Sequence, residues 1–259
     1  MRPWQTIDGI QTREGRLELR QRGERDFLIT VGGRVLMPSG AHESEDELAS
    51  LALTGRKSSR VLLGGLGMGY TLRAALDLLP PSAHITVAEL NERVIDWCRG
   101  PLAVLTDGVA ADRRVDFVVR DVARVIARAP AGHYDAIILD LYEGPHQATN
   151  RHHDPLYGDL ALARSRAALA PGGVLAIWSE ERDAAFEARL ARAGFQVEWH
   201  RAGRGRTHII YLGRAMEARQ VERRRDPATD TPLAPAGRRP LSAEKGWPAA
   251  RPRPRPRSR

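Results

Sequence analysis

The sequence predicts an α/β fold: a mostly parallel sheet flanked by helices, with a small antiparallel β unit before it and a disordered tail after it. Three observations predict this. Apolar strand-like runs alternate with helix-period segments from Val61 to Leu212, the order that a parallel sheet with crossover helices requires. The stretch Val61–Arg73 reads VLLGGLGMGYTLR, a buried apolar strand running into a glycine turn and then a helix, which is the start of a Rossmann-like nucleotide-binding unit. Finally, 259 residues with 42% hydrophobic content are enough for one substantial core plus a small accessory unit.

The elements follow in order. Residues 16–37 contain RLELRQ, DFLITV and RVLMP, with alternating apolar positions and turn chemistry at Arg22-Gly23-Glu24 and Gly32-Gly33. They read as an antiparallel unit within a first segment, 1–43. Ser44–Leu53 (SEDELASLAL) reads as a helix opened by a serine cap with Glu47 three residues on, a capping-box pattern. It begins a main domain over 44–214. After the glycine strand come helix Thr71–Leu79, strand His84–Ala88, helix Asn91–Cys98 and strand Val115–Val119. Asp121–Ala129 is expected to be helical, and Tyr134–Leu139 (YDAIIL) is a continuous apolar strand ending at Asp140. A helix from about Gly158 to Leu169 stops at Pro171-Gly172-Gly173, and Val174–Trp178 is the next strand. Helix Asp183–Ala193 precedes strands Gln196–His200 and His208–Leu212, whose short AGRGRT connection suggests antiparallel pairing.

Function is most legible at the glycine turn. Gly65, Gly67 and Gly69 let the backbone bend tightly and approach a ligand, where the next helix aims its free N–H groups. Glu89 ends the following strand 24 residues beyond Gly65, near the offset of about 20 at which an acid meets a ribose diol in dinucleotide folds. Tyr70 occupies the place of the third glycine of the nicotinamide fingerprint, which tilts the reading from NAD towards an S-adenosyl cofactor. Ligands of open sheets bind beyond the carboxyl ends of the strands, where Glu89, Asp121 and Asp140 are each expected.

Charge and cysteine content bound the rest. The net charge of +8 is local: from Arg214 onward there are 13 Lys+Arg against 5 Asp+Glu, leaving 27 of each sign before it. The segment 215–259, proline-rich and ending RPRPRPRSR, is expected to be disordered. Such a tail is compatible with contact to nucleic acid, but a solvated extension is the simpler reading. Cys98 is the only cysteine, so no internal disulfide is expected. The start MRPWQTIDGIQTREG has no apolar signal segment, and no run approaches a membrane span. A soluble, cytoplasmic protein without membrane contact is expected. His146, His152 and His153 lie in a loop, GPHQATNRHHDP, that reads as a cover over the substrate. Their spacing is not a recognised metal set, and no metal is expected.

From about Leu17 to Ala215 the chain resembles the spermidine and spermine synthases, the polyamine aminopropyltransferases, which share the seven-stranded class I methyltransferase fold. VLLGGLGMGYTLR matches the family's strand, glycine loop and helix start; AELNERVI is similar to its VEIDEEVI, and YDAIILDLYEGP to its YDVIIxDSSDPxGP. LYGDLALARSRAALAPGGVLAIW continues the match. The resemblance implies that Gly65, Gly67, Gly69 and Glu89 hold the cofactor, with Glu89 on the ribose, and that Asp121 lies near the adenine. It implies Asp140 as the catalytic acid, with Tyr142 and Glu143 in support, a small-molecule amine as acceptor, and a homodimer. The co-substrate is then decarboxylated S-adenosylmethionine or S-adenosylmethionine itself.

Departures from the family are equally specific. Met68 stands where the family has the acid that meets the donor's aminopropyl ammonium, Glu143 replaces the second acid of DxxD, Asp46 replaces a histidine ahead of Glu47, and Trp178 replaces a glutamine. Three functions stay open on these residues: aminopropyl transfer to a polyamine or related amine, methyl transfer from S-adenosylmethionine, and a non-catalytic binding module with a basic tail.

Overall fold

The computed structural model describes residues 2–55, 60–142, 144–146, 153–204 and 208–216. Glu143, His152 and residues 217–259, where most of the expected tail falls, lie outside the described residues. Four strands, β1 (Gln5–Thr12), β2 (Gly15–Arg22), β3 (Asp26–Val31) and β4 (Arg34–Pro38), form an antiparallel sheet in sequential order. Three were anticipated. β1 was not, because its Ile7 and Ile10 are 40% and 41% exposed and bury no apolar face. It is held instead by its ladder to β2 and by Asp8, whose carboxylate accepts the Trp97 indole N–H at 2.7 Å and pairs with Arg93 at 3.0 Å.

Helix α1 (Glu43–Leu53) leads into the main sheet. The expected capping box is absent: His42 is the N-cap and makes no side-chain cap bond. The Ser44 hydroxyl is engaged elsewhere, donating to Glu45 Oε2 at 2.6 Å and accepting from Trp178 Nε1 at 3.3 Å. Glu47 is exposed and accepts from the Gly203 amide.

The remaining elements are β5 (Arg60–Gly64), α2 (Tyr70–Leu78), β6 (His84–Glu89), α3 (Glu92–Arg99), α4 (Ala103–Thr106), β7 (Val115–Val119), α5 (Val122–Arg128) and β8 (Tyr134–Leu139), followed by α6 (Asp159–Ala168), β9 (Leu169–Ser179), α7 (Ala184–Arg192), β10 (Phe195–Ala202) and β11 (His208–Ala215). The seven-stranded sheet runs β10-β11-β9-β8-β5-β6-β7. Strands β5 to β9 pair in parallel, and β11 inserts antiparallel between β9 and β10. Successive strand residues point to opposite faces, and both faces of the central strands β5 and β8 are buried. Val61 and Leu63 of β5 join one core cluster and Leu62 the other; Ala136 and Ile138 of β8 join the first, Ile137 and Leu139 the second. The first cluster also takes in Leu19, Phe27 and Ile29 of the N-terminal sheet. From β5 the chain continues to β6 and β7 on one side, while β8 and β9 lie on the other. The carboxyl end of β5 is therefore the topological switch point, where such sheets bind ligands.

Candidate active site

At that switch point Gly65, Gly67 and Gly69 have φ of 85°, 53° and 87°. These left-handed conformations are ones that side chains with a Cβ rarely adopt. Gly65 is also sterically required: a Cβ there would lie 2.2 Å from the Asp140 carbonyl oxygen. The turn is clamped from both neighbouring strands, by Gly65 N–H donating to Ala88 O at 3.0 Å and Asp140 N–H donating to Gly64 O at 2.9 Å. Gly69 N-caps α2, which points its first turn at the same edge.

Glu89, 9% exposed, braces the turn from β6. Its Oε2 accepts the Leu66 amide at 3.0 Å and its Oε1 the Asn91 amide at 2.9 Å. Burial raises its proton affinity, and these backbone N–H groups work against that by favouring the ionised form. A carboxylate has about four acceptor sites, so the backbone amides of Leu66, Leu90 and Asn91 do not exhaust it and it retains room for a hydroxyl donor.

Asp140 follows β8 and is half-buried. Thr71 of α2 donates to its Oδ2 at 2.5 Å. Burial first, then the like charge of Glu45, push the Asp140 carboxyl up from 3.8 to about 7, against the opposing effect of the Thr71 hydrogen bond. A carboxyl at that value is divided between its acid and base forms at neutral pH, the condition for exchanging a proton with a substrate.

The other expected residues are placed less centrally. Asp121 is exposed, and its carboxylate caps α5 by accepting the Ala123 amide at 2.8 Å. It stands one strand beyond Glu89, next to Arg120, whose N–H donates to Glu89 O. Tyr142 is 38% exposed, with the Arg34 guanidinium 5.0 Å from its ring centroid. Glu143 lies outside the described residues. The fold thus brings Glu89, Asp140 and the glycine turn together, with Asp121 beside Glu89 and Tyr142 two residues beyond Asp140.

Glu45 is the residue that motif reasoning missed, since it favoured Glu47. Helical spacing held the signal: Glu45, Ala49 and Leu53 lie four residues apart, and Ala49 and Leu53 are buried. Burial raises the Glu45 carboxyl, against its bond from Ser44. Trp178 sits beside Asp140 because β8 and β9 pair Leu139 with Ile177. Tyr157 is 3% exposed and packs its ring edge-on against Phe186. Cys98 is a core residue whose thiol burial pushes up to about 12. Among the described residues, no group of three or more His, Cys, Asp or Glu is placed to hold a metal, and no helix is long and apolar enough to cross a membrane.

The strand order, the glycine turn and the acids at successive strand ends define a Rossmann-like scaffold of the class I methyltransferase type. Residues 43–187 match the spermine/spermidine synthase domain, more than half of the chain, and the chain belongs to that family. Putrescine N-methyltransferase 3 of Nicotiana tabacum is 33% identical over 121 residues, covering 47% of this chain and 30% of that protein. Putrescine N-methyltransferase 1 of Nicotiana attenuata is 33% identical over the same length, covering 47% and 29%. The chain thus matches less than a third of the length of these relatives. Among solved structures, spermidine synthase from Thermotoga maritima superposes with a TM-score of 0.64 at 17% identity, covering 85% of this chain and 79% of that one. A spermidine synthase in complex with the transition-state analogue AdoDATO gives 0.63 at 17% identity, covering 85% and 78%. Both share the fold.

Proposed function

We propose that the protein is a transferase that alkylates an amine nitrogen from an S-adenosyl sulfonium, moving an aminopropyl group from decarboxylated S-adenosylmethionine to a polyamine or related amine. The observation that carries this reading is Asp140, a half-buried carboxyl held at about 7 and touching the first turn of α2 beside the glycine turn. A sulfonium already carries its leaving group, so the protein's work is to align the amine for in-line attack and keep it deprotonated. The amine lone pair attacks the carbon bound to sulfur, the C–S bond breaks with its electron pair going to sulfur, and the amine's proton passes to Asp140 and then to solvent. Glu89 is proposed to hold the ribose hydroxyls and Asp121 to lie near the adenine, with Tyr142 and Glu143 on the acceptor side.

A second reading, methyl transfer from intact S-adenosylmethionine, is favoured by Met68. This residue is fully buried and apolar where the family has its ammonium-binding acid. Without that acid, a bound ammonium loses a charge-assisted contact worth roughly 1.5–3 kcal/mol, about tenfold to a hundredfold in affinity. Calorimetric titration with the carboxylated and decarboxylated donors, then mass spectrometry with putrescine or spermidine, separates the two. Aminopropyl products support the first reading and methylated products the second. Failure to bind either donor supports a non-catalytic module.

A further inference from the structure

The last strand of the N-terminal sheet lies across the crevice at the glycine turn. β4 pairs Arg34 with Val31 and Met37 with Ile29, and a register shift between Ile29 and Thr30 leaves Leu36 as an extra residue. Residues three apart on a regular strand face opposite sides, but the extra residue brings Arg34 and Met37 to the same one. Cross-strand partners share a face. Val31 and Ile29 are each 4% exposed and belong to the core cluster shared with the main domain, so the face is the one turned towards that domain.

Both side chains reach the crevice. Met37 Sδ lies 3.1 Å from where a Cβ on Gly67 would stand, and Asp140 and Leu141 are what a Cβ on Gly65 would meet. The Arg34 guanidinium lies 5.0 Å from the ring centroid of Tyr142, the residue after Leu141. β4 thus spans the glycine crest and the segment that follows β8. Its far end is fixed: Ser39 N–H donates to Phe27 O at 2.9 Å, and Ser39 O accepts the hydroxyl of Tyr70, first residue of α2, at 2.8 Å.

Arg16 and Arg22 of the same sheet pair with Glu18 and Asp26, whereas Arg34 is exposed and has no carboxylate at ion-pair distance among the described residues. An aromatic face attracts a guanidinium without cancelling its charge. Its N–H edge can still take a carboxylate by two parallel hydrogen bonds. On the reading above, a donor held by its ribose at Glu89 and presenting its reacting carbon to Asp140 carries its sulfonium past Gly67, beneath β4. The tail beyond the sulfonium then meets no anion on the turn, where Met68 is buried and apolar, and a cation on the strand.

We propose that Arg34 is a donor-selecting residue whose guanidinium, steadied on Tyr142, pairs with a carboxylate at the end of the donor's tail. The donor it selects is intact S-adenosylmethionine over the decarboxylated form. This rests on the amine-alkylation reading above and takes the donor of its second form.

The test is calorimetric titration of the full chain with S-adenosylmethionine, with its decarboxylated form, and with methylthioadenosine, which has the nucleoside and no charged tail. Wild type is expected to bind the carboxylated donor at least about fivefold more tightly than the decarboxylated one. Arg34→Gln is expected to weaken the carboxylated donor about 5- to 20-fold while leaving the other two ligands within about twofold. Arg34→Lys keeps the charge without the planar fork and is expected to recover part of the loss. Unchanged methylthioadenosine binding shows that a variant has kept its site. An Arg34→Gln variant that loses all three ligands in parallel, or none, overturns the assignment, as does a wild-type preference for the decarboxylated donor. In those cases wild-type binding leaves the S-adenosyl reading standing and only the role of Arg34 is lost. If wild type binds none of the ligands, the S-adenosyl reading falls together with it.

Discussion

Replacing Asp140 by Asn is expected to make the protein more stable above neutral pH while disabling it. The folded carboxyl titrates at about 7 against an ordinary 3.8, so the native state holds this proton through a range in which the unfolded chain has released it. Folding stability therefore falls as pH rises from 3.8 towards 7 and is lowest above that window. Roughly three decades at 1.36 kcal/mol each set an upper bound of about 4 kcal/mol. Partial exposure and local relaxation reduce the expected penalty to about 1–3 kcal/mol. Asparagine keeps an oxygen to accept the Thr71 hydroxyl and carries no charge to desolvate. Urea unfolding at pH 5 and pH 8.5 is the assay: these span about two of the three decades, and the variant is expected to gain stability relative to wild type by about 1–2 kcal/mol between the two. Amine alkylation is expected to fall about 100-fold or more, with loss of the wild-type rise in kcat/KM towards pH 7. A difference in stability that does not change between the two pH values refutes the buried-carboxyl argument, and undiminished turnover removes Asp140 from the proposed proton transfer.

At Gly65, alanine combines a φ of 85° with a Cβ 2.2 Å from the Asp140 carbonyl, so a loss of at least about 2 kcal/mol is expected in chemical denaturation. Gly67→Ala, which meets only the flexible Met37 side chain at 3.1 Å, is expected to lose about half as much. Glu89→Gln deprives two backbone amides of a charged acceptor, and calorimetry is expected to show donor affinity reduced about 10- to 100-fold. Truncation after Met216 keeps the carbonyl to which Arg166 donates. It is expected to leave turnover of a small amine within about twofold in steady-state assays.

Where the sequence predicted elements accurately, one physical cause dominates. β8 (Tyr134–Leu139) falls at the expected residues because a buried apolar run bounded by polar residues leaves little freedom in register; the half-exposed edge strand β7 (Val115–Val119) is marked by its β-branched and aromatic residues. Asn91, Asp121 and Asp183 each begin the expected helix by accepting a backbone N–H two residues on. Ser44 carried the same signal and failed, because Trp178, distant in sequence, recruits its hydroxyl. β1 was illegible for the complementary reason: its partner strand, not its own apolar pattern, makes it a strand. Within the site, Glu89 and Asp140 were legible because strand ends and the glycine turn fix them. Glu45 was not, since its importance depends on which face of α1 meets the sheet. The four-residue spacing to Ala49 and Leu53 becomes informative once those two are known to be buried.

The alternation in Gly65-Leu66-Gly67-Met68-Gly69 bears on the donor as well as on the fold. Leu66 and Met68 are 3% and 0% exposed, and both belong to the core cluster beneath the turn. The intervening residues are anchors, and the glycines are what the crest offers to a ligand. An acid at 68 would place a carboxylate among apolar side chains, at a desolvation cost that a partner must offset. With methionine there, the turn is secured by packing and has no charge with which to meet the donor's cationic end. Any ammonium on the donor must then be met by carboxyls on other elements. With Glu89 and Asp121 proposed for the nucleoside, the carboxyl left at this edge is Asp140, which is also proposed to meet the acceptor. Donor choice and acceptor choice are therefore coupled in this chain: a carboxyl occupied by a donor ammonium is unavailable to a second acceptor nitrogen. The apparent affinity for the decarboxylated donor is therefore expected to fall when the acceptor carries a second amino group, and steady-state assays of both donors against a monoamine and a diamine check this.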